Sequence, residues 1–421
     1  MSDTDAPADG GPAPAPTPPQ PPPPGEAMGR DDGGEALGTA QSVPPSGSSR
    51  TRRRWPYVLG GFVTLVVLAA VIAANISIPY YVITPGSASP VNQYIEVPQA
   101  DNHAIKGNIL LTDVLVSQLN ALAYLRYRYL DSNNEIFSSQ DLLGPSTSNS
   151  EFISQGYLQM AQAQSFATAA ALTHLGYSVT STDVGALVYG IVPGSPAAKT
   201  LKVAQVITAV NGAPTTSECG LIEALHRYAP GTKVTLSVEQ SSINDVGAFV
   251  SGPVAQKPVT LAKAPEASVV DFCGGPPITQ TAFVGIAAQT QQDWQFPVKV
   301  TVHTQNIGGP SAGLAMTLGI IDKLNGGRLT GGHVVAATGQ IDQYGNITAV
   351  GGVAEKTIAV ERAGATVFLV PLGDGNYDAA KSKASPQLHV YGVRTVDQAL
   401  AILERLGGKV TTNPVPARAA S

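Results

Sequence analysis

Cysteine is scarce in this chain: only Cys219 and Cys273 occur among its 421 residues. Two thiols so placed lack the spacing of a metal-ligating set, which excludes a cysteine metal centre. Outside the cytoplasm they can pair as a disulfide; two separate thiols are the other option, and the sequence leaves both open. Positive charge is not in excess either. Lys and Arg number 25 against 30 Asp and Glu, a net charge of −5, so nucleic acid is not expected as a general partner. Nowhere does Gly-x-x-x-x-Gly-Lys-[Ser/Thr] occur, so there is no P-loop to cradle a nucleotide phosphate. Neither a metal nor a nucleotide is expected as a cofactor.

Apolar residues make up 43% of the chain, and none of the first 54 residues belongs to a long apolar run. Residues 1–54 are rich in Pro, Ala, Gly, Ser and acids, including Pro18-Pro19-Gln20-Pro21-Pro22-Pro23-Pro24. Such a segment cannot bury enough apolar surface to offset its chain entropy. It is expected to be a disordered cytoplasmic tail, with a ligand for a proline-binding module as the alternative. The tail ends in Arg50-Thr51-Arg52-Arg53-Arg54. Residues 55–79 follow with no charge, enough for one transmembrane helix. The arginines on the N-terminal flank place that end in the cytoplasm, and Trp55, Tyr57, Tyr80 and Tyr81 are spaced for the two interfaces. A cleaved signal peptide is the rival. The long tail, the length of the run and the lack of a small-x-small cleavage site argue against it. The expected location is the cell membrane, single-pass, with everything after Pro79 extracytoplasmic.

Residues 80–180 are a juxtamembrane region. Gly107 to Val116 has strand character and is a candidate first piece of the C-terminal domain, with the next module inserted after it; sequence alone does not decide this. Tyr157 to Leu175 reads as a packed alanine-rich helix ending before Gly176.

The residues with the strongest chemical signal lie further on. Asn306-Ile307-Gly308-Gly309-Pro310-Ser311-Ala312-Gly313 is a glycine-rich turn that delivers one serine to a helix start. Leu314, Ala315, Leu318 and Ile321 continue at helical spacing, and Gly326-Gly327 ends the run. A serine there sits among backbone N–H groups without intrahelical partners, which can stabilise an oxyanion. Gly351-Gly352-Val353-Ala354-Glu355-Lys356 opens a second helix with one lysine among apolar neighbours. Apolar surroundings lower a lysine's pKa, and a neutral lysine can take a proton from a serine hydroxyl.

These two stretches resemble the proteolytic domain of the Lon family of serine–lysine peptidases. The resemblance covers roughly the last third of the chain. It rests on Gly-Pro-Ser-Ala-Gly, on Gly-Gly-x-x-Glu-Lys, and on Glu361-Arg362-Ala363-Gly364 followed by an apolar strand, Thr366 to Val370, and Pro371. Ala337-Thr338-Gly339 resembles the family's Thr-Gly step. By that resemblance Ser311 is the nucleophile, Lys356 the base and Thr338 the group that supports the lysine. Gly309 and Ser311 supply oxyanion N–H groups. Gly308 stands where ATP-dependent members carry an acidic residue, and Gln340 where they carry Glu. Both departures are similar to the membrane-anchored, PDZ-containing branch. The missing P-loop implies that the family's unfolding motor is absent. Peptides or unfolded proteins are then the expected substrates, and homo-oligomers are common in such relatives.

Residues 181–262 resemble a bacterial PDZ domain through Val192-Pro193-Gly194-Ser195-Pro196-Ala197-Ala198 and Val206 to Gly212. Ala204-Gln205 replaces the usual Gly-Asp. PDZ domains add an extended peptide to a sheet edge. By this resemblance Gly185, Ala186, Leu187 and Val188 form the peptide-binding loop, for substrate capture or for regulation.

The expected fold class is α+β: tail, one transmembrane helix, a β-rich PDZ-like domain, then a Lon-type proteolytic domain over residues 275–408 and a flexible tail over 409–421. Strands are expected at Ala282 to Ala287, Val298 to Val302, Val334 to Thr338, Ile347 to Val350, Val367 to Val370 and Leu388 to Val393, and a last helix from Thr395 to Leu406. Three competing readings remain. His303 is a candidate base eight residues before Ser311, without an aspartate placed to orient it. The Gly308–Gly313 turn alone could cradle a phosphate. A PDZ adaptor with an inactive protease fold is the non-enzymatic alternative. Asp342, Asp374 and Asp378 are expected in polar loops.

Overall fold

A computed structural model describes residues 55–97, 107–131, 133–144, 148–244, 247–265, 273, 282–304 and 306–410. The tails expected at residues 1–54 and 411–421, and the basic run at Arg50–Arg54, lie outside the described residues.

The charge-free run forms helix α1 (Trp55–Asn75). Among the described residues it supplies the one stretch, Tyr57–Asn75, long and apolar enough to cross a membrane. It stops short of the expected residue 79: in a continued helix Pro79 would have no N–H to donate to the Asn75 carbonyl and its ring would clash with it. The chain turns instead into strand β1 (Ser77–Pro90). Strand β2 (Asn108–Asn120) returns antiparallel beside β1. A short helix, α2 (Ala121–Tyr129), and strand β3 (Glu135–Ser138) follow. Helix α3 (Asn149–His174) is capped by the Ser148 hydroxyl, which accepts the Glu151 N–H. Its buried Ala161, Ala163, Ala167, Ala170 and Ala171 let neighbouring helices approach closely.

The PDZ-like module comprises β4 (Thr180–Ile191), β5 (Val206–Val210), helix α4 (Glu218–His226), β6 (Lys233–Glu239), β7 (Val254–Thr260) and β8 (Ile286–Gln295). Its strands lie in the order β7-β6-β5-β4-β8. β8 pairs antiparallel with β4 along its whole length, from Ile286 opposite Ile191 to Gln295 opposite Thr180. The pairing therefore crosses the boundary expected near residue 275. The sequence motif ends at 262, but the sheet takes its last strand from beyond it.

The remaining elements are helix α5 (Gly313–Leu324), β9 (Val334–Ala337), α6 (Val353–Arg362), β10 (Val367–Pro371), α7 (Asn376–Lys383), β11 (His389–Val393) and α8 (Val396–Arg405). They share a sheet with the juxtamembrane strands, ordered β11-β10-β9-β2-β1-β3. β2, β9, β10 and β11 run parallel, and β1 and β3 antiparallel. Thus β2 is a central strand of the sheet that carries the C-terminal motifs, and the PDZ-like module lies in sequence between two parts of it. The strand expected at Val298–Val302 shrinks to Thr301–Val302, because its only partner is the two-residue strand Ile95–Glu96. Asp378 lies in the first turn of α7 rather than in a loop.

Side-chain alternation divides this sheet between two cores. Ile109, Leu111, Val335, Ala337, Val367 and Leu369 face a cluster with α3 and α5 residues. Leu110, Ala336, Phe368 and Val370 face another with Val353, Val360 and Ala380 of α6 and α7. The central parallel strands β9 and β10 are covered on both faces, and their sequences are apolar throughout. The serine helix packs in one layer and the lysine helix in the other.

Cys219, on α4, is bonded to Cys273, 54 residues further on, with Cα atoms 5.6 Å apart. Closing a loop of that length stabilises by about 2–4 kcal/mol through the unfolded chain. Replacing both cysteines by serine should lower the unfolding midpoint of the PDZ-like module by several degrees. An unchanged midpoint, or two alkylatable thiols in the unreduced wild type, would show that the pair contributes nothing.

Candidate active site

The parallel strand β9 ends at Ala337, and the next residue, Thr338, hydrogen-bonds onward through its N–H to Leu369 O at 3.0 Å. Its hydroxyl donates to the Ser311 carbonyl at 3.2 Å. The same hydroxyl accepts a hydrogen bond from Lys356 Nζ, also at 3.2 Å. Gly339 N–H donates to the Ser311 carbonyl at 2.9 Å, and Leu314 N–H to Gly339 O at 3.0 Å. The serine turn is thus clamped to the end of β9, and the lysine reaches the same point from the opposite layer. The expected trio of Ser311, Thr338 and Lys356 comes together at the carboxyl ends of the parallel strands.

Two glycines of the serine motif have identifiable reasons. Gly309 has φ +88°, a left-handed conformation that turns the chain into Pro310-Ser311-Ala312. A Cβ on Gly313 would lie 2.8 Å from Ile341 Cγ2 and 3.0 Å from its backbone nitrogen, so the helix can approach this strand only with glycine here. Ser311 opens onto a cavity of about 480 Å³, also lined by Asp113, Val116, Phe152, Ile153 and Ile307. One wall is β2, another the N-terminal turns of α3.

Lys356 is only 2% exposed. Burial pushes its ammonium down to a pKa of about 8, with the Asp113 carboxylate pulling weakly the other way. Asp113 accepts the Ser87 N–H and hydroxyl, each at 2.8 Å. The sequence reading missed Asp113. Its signal was the single carboxylate in the strand-like stretch Gly107 to Val116.

Other expected site residues fare differently. The Gly309 N–H donates to Gly156 O of α3 at 2.7 Å. In this structure that N–H is engaged by the fold rather than open to the cavity, while the expected oxyanion contact stays a proposal. Gly185, Ala186, Leu187 and Val188 do not form a loop. They lie in β4, buried, paired with β5 on one side and β8 on the other. A strand with both edges paired has no free N–H row for a peptide, so the peptide-binding assignment of these four residues is corrected. His303 lies beside Glu96, with Nε2 3.4 Å from Oε2. Asp342 accepts the N–H groups of Tyr344 and Asn346 in a turn, as expected of a loop carboxylate.

The buried lysine has a stability consequence. Its folded pKa, about 8, lies below the ordinary 10.5. Between these values the unfolded chain binds more protons than the folded one, so stability rises with pH across that window. Below about pH 8 the folded state carries the full cost of the buried ammonium. Lys356→Met should therefore be more stable than wild type at pH 7, and the difference should shrink from pH 8 to 10.5. Parallel pH–stability curves for the two proteins would contradict the burial argument.

Residues 280–404 match the family model of the Lon protease (S16) C-terminal proteolytic domain. Residues 173–244 match the PDZ domain model. Lon protease 1 of Herpetosiphon aurantiacus is 30% identical over 133 residues, 31% of this chain and 16% of that protein. Lon protease 1 of Sorangium cellulosum is 33% identical over 126 residues, 30% and 15% of the two. The match thus spans about a sixth of the length of these curated relatives. Among solved structures, the PDZ domain of the SdrC-like protein from Listeria monocytogenes aligns at 18% identity and a TM-score of 0.19, covering 25% of this chain and 87% of that one. The chain therefore carries a Lon-type C-terminal proteolytic domain and a PDZ domain.

Proposed function

We propose that the protein is a membrane-anchored serine endopeptidase that works without ATP and cleaves exported or membrane-associated polypeptides. The observation that carries this reading is the Lys356–Thr338–Ser311 chain, which places a buried, readily neutralised lysine one hydroxyl away from the serine turn. Ser311 Oγ attacks the scissile carbonyl while Lys356 Nζ takes its proton. The lysine then gives that proton to the leaving amine, and water hydrolyses the acyl-enzyme with Lys356 again as base. With a pKa of about 8, roughly a tenth of the lysine is neutral at pH 7. Thr338 holds the amine through its hydroxyl. The backbone N–H of Ser311, in the turn ahead of α5 and before any intrahelical acceptor, is the oxyanion donor.

The cavity's apolar wall of Val116, Phe152, Ile153 and Ile307 suits apolar side chains beside the scissile bond. With no P-loop in the sequence, the substrate is a flexible or already unfolded segment. The PDZ domain captures the chain or regulates access to it. Of the two edge strands of its sheet, β7 and β8, the one beside α4 is β8, with Thr290 Oγ1 accepting the Glu218 N–H. Residues beyond α1 lie outside the cytoplasm. Arg52–Arg54 on the inner flank and the Cys219–Cys273 disulfide both support that side.

A fluorophosphonate probe on the full-length protein should label wild type and not Ser311→Ala. Lys356→Arg, which keeps the charge but has no accessible neutral form, should lose roughly a hundredfold or more in rate. No labelling of wild type even at pH 9 would favour the adaptor reading, and substantial activity in Lys356→Arg would remove the lysine as base.

Peptidase activity should rise with pH through about 8. Asp113 favours the charged lysine, so Asp113→Asn should move that midpoint to lower pH. A midpoint that stays in place would mean that Asp113 does not act on Lys356.

A further inference from the structure

Helix α2 buries none of its nine residues. Leu122, Leu125 and Tyr129 fall at i, i+3 and i+7, on one face, and are 43%, 52% and 74% exposed. Arg126 and Arg128 stand in the last turn, their guanidinium groups over the rings of Tyr127 and Tyr129 at 5.6 and 5.9 Å. Neither is in an ion pair with another described residue. The helix is nonetheless held in place. The Asn120 side chain accepts the Ala123 N–H at 2.7 Å, the Tyr124 ring meets Tyr80 at 5.1 Å, and the Ala121 N–H donates to the Ile76 carbonyl at 3.1 Å. Ile76 is the residue immediately after α1, and Ser77 pairs with Asn120. A fixed, outward apolar face of Leu and Tyr with flanking arginines therefore begins where the membrane helix ends.

We propose that α2 lies flat in the outer interface of the bilayer, with Leu122, Leu125 and Tyr129 at the acyl boundary and Arg126 and Arg128 on anionic lipid phosphates. This rests on the reading of α1 as a membrane span. Leucine and aromatic residues on one face with arginine beside them are what an interfacial helix requires. Each arginine adds electrostatic attraction to an anionic leaflet.

The placement limits what the enzyme can reach. β2 runs from Asp113, in the cavity wall, to Asn120, at the start of α2. About seven residues at roughly 3.3 Å each keep the cavity within some 25 Å of the lipid surface. The substrates that fit are polypeptides still tethered to the membrane, cut within about seven extended residues of it.

The test uses the full chain in phosphatidylcholine vesicles with and without phosphatidylglycerol, doped with nitroxide lipids labelled at the headgroup, to read position 125, or at mid-acyl chain, to read position 67. With the native disulfide oxidised, single cysteines at Leu125→Cys, Val67→Cys in α1 and Ser382→Cys on α7 carry a fluorophore. Quenching at positions 125 and 67 but not at 382 is expected. Quenching at 67 without quenching at 125 overturns the docking. No quenching at either overturns it by removing the span. An oxidative dimer of the unlabelled Leu125→Cys protein, together with no quenching in its labelled form, assigns the face to a second copy instead. In the Arg126→Gln/Arg128→Gln background the extra quenching at 125 that phosphatidylglycerol produces should be lost. Quenching insensitive to lipid charge in both backgrounds overturns the arginine contacts.

Discussion

The structure around the candidate site depends on one buried amine. An ammonium taken out of water is costly unless paired. Among the described residues Lys356 has one hydrogen-bond partner, the Thr338 hydroxyl, and burial outweighs the pull of the Asp113 carboxylate on its charge. A fully paired lysine would be a better structural element and a worse base, since a close carboxylate would hold the proton on. The site keeps Asp113 engaged with Ser87 instead. The lysine's charge is thereby left poorly compensated, and its neutral form comes within reach of ordinary pH. Glu355, the neighbour in the motif, is also buried, and burial raises its pKa. The helix start therefore concentrates two ionisable groups in poor solvation, a cost that the apolar packing of Val353 and Val360 has to offset.

Two-layer geometry explains why the motifs are so far apart in sequence and so compact in themselves. Each motif has to end one connection and begin one helix at the edge of the sheet, which takes only a glycine turn and a first helical turn. Such local devices are legible in a sequence, and Gly309, Ser311, Gly352 and Lys356 were read there. Thr338 was found through the family pattern. Its physical reason, one hydroxyl serving both layers, is visible only once β9 is placed between them.

What was not legible was long-range pairing. Gly185 to Val188 looks like a peptide-binding loop if the module ends near residue 262. The strand that closes β4 starts at Ile286, about a hundred residues later, and nothing in the local sequence announces it. The same holds for β2, whose apolar run marks a strand but not its neighbours β1 and β9. Asp113 was overlooked for that reason. A carboxylate in a strand reads as a solvated edge until the strand is seen to line the cavity. The strand expected at Val298–Val302 failed in the opposite sense. Its alternation was sound, but only two residues find a partner, and an unpaired alternating segment does not become sheet.

β2 then joins three functions that could have been separate. Its first half pairs in parallel with β9 and so sets the position of Thr338. Its middle carries the carboxylate that acts on Lys356. Its last residue caps α2 beside the end of α1. A displacement of α1 or α2 transmitted along this strand reaches both the cavity wall and the charge that acts on Lys356. The antiparallel bonds to β1, continuous from Tyr81 to Pro85, stiffen that connection. A flexible linker would leave α1 free to move relative to the cavity. The paired two-strand ribbon instead ties the surroundings of Lys356 to the end of α1.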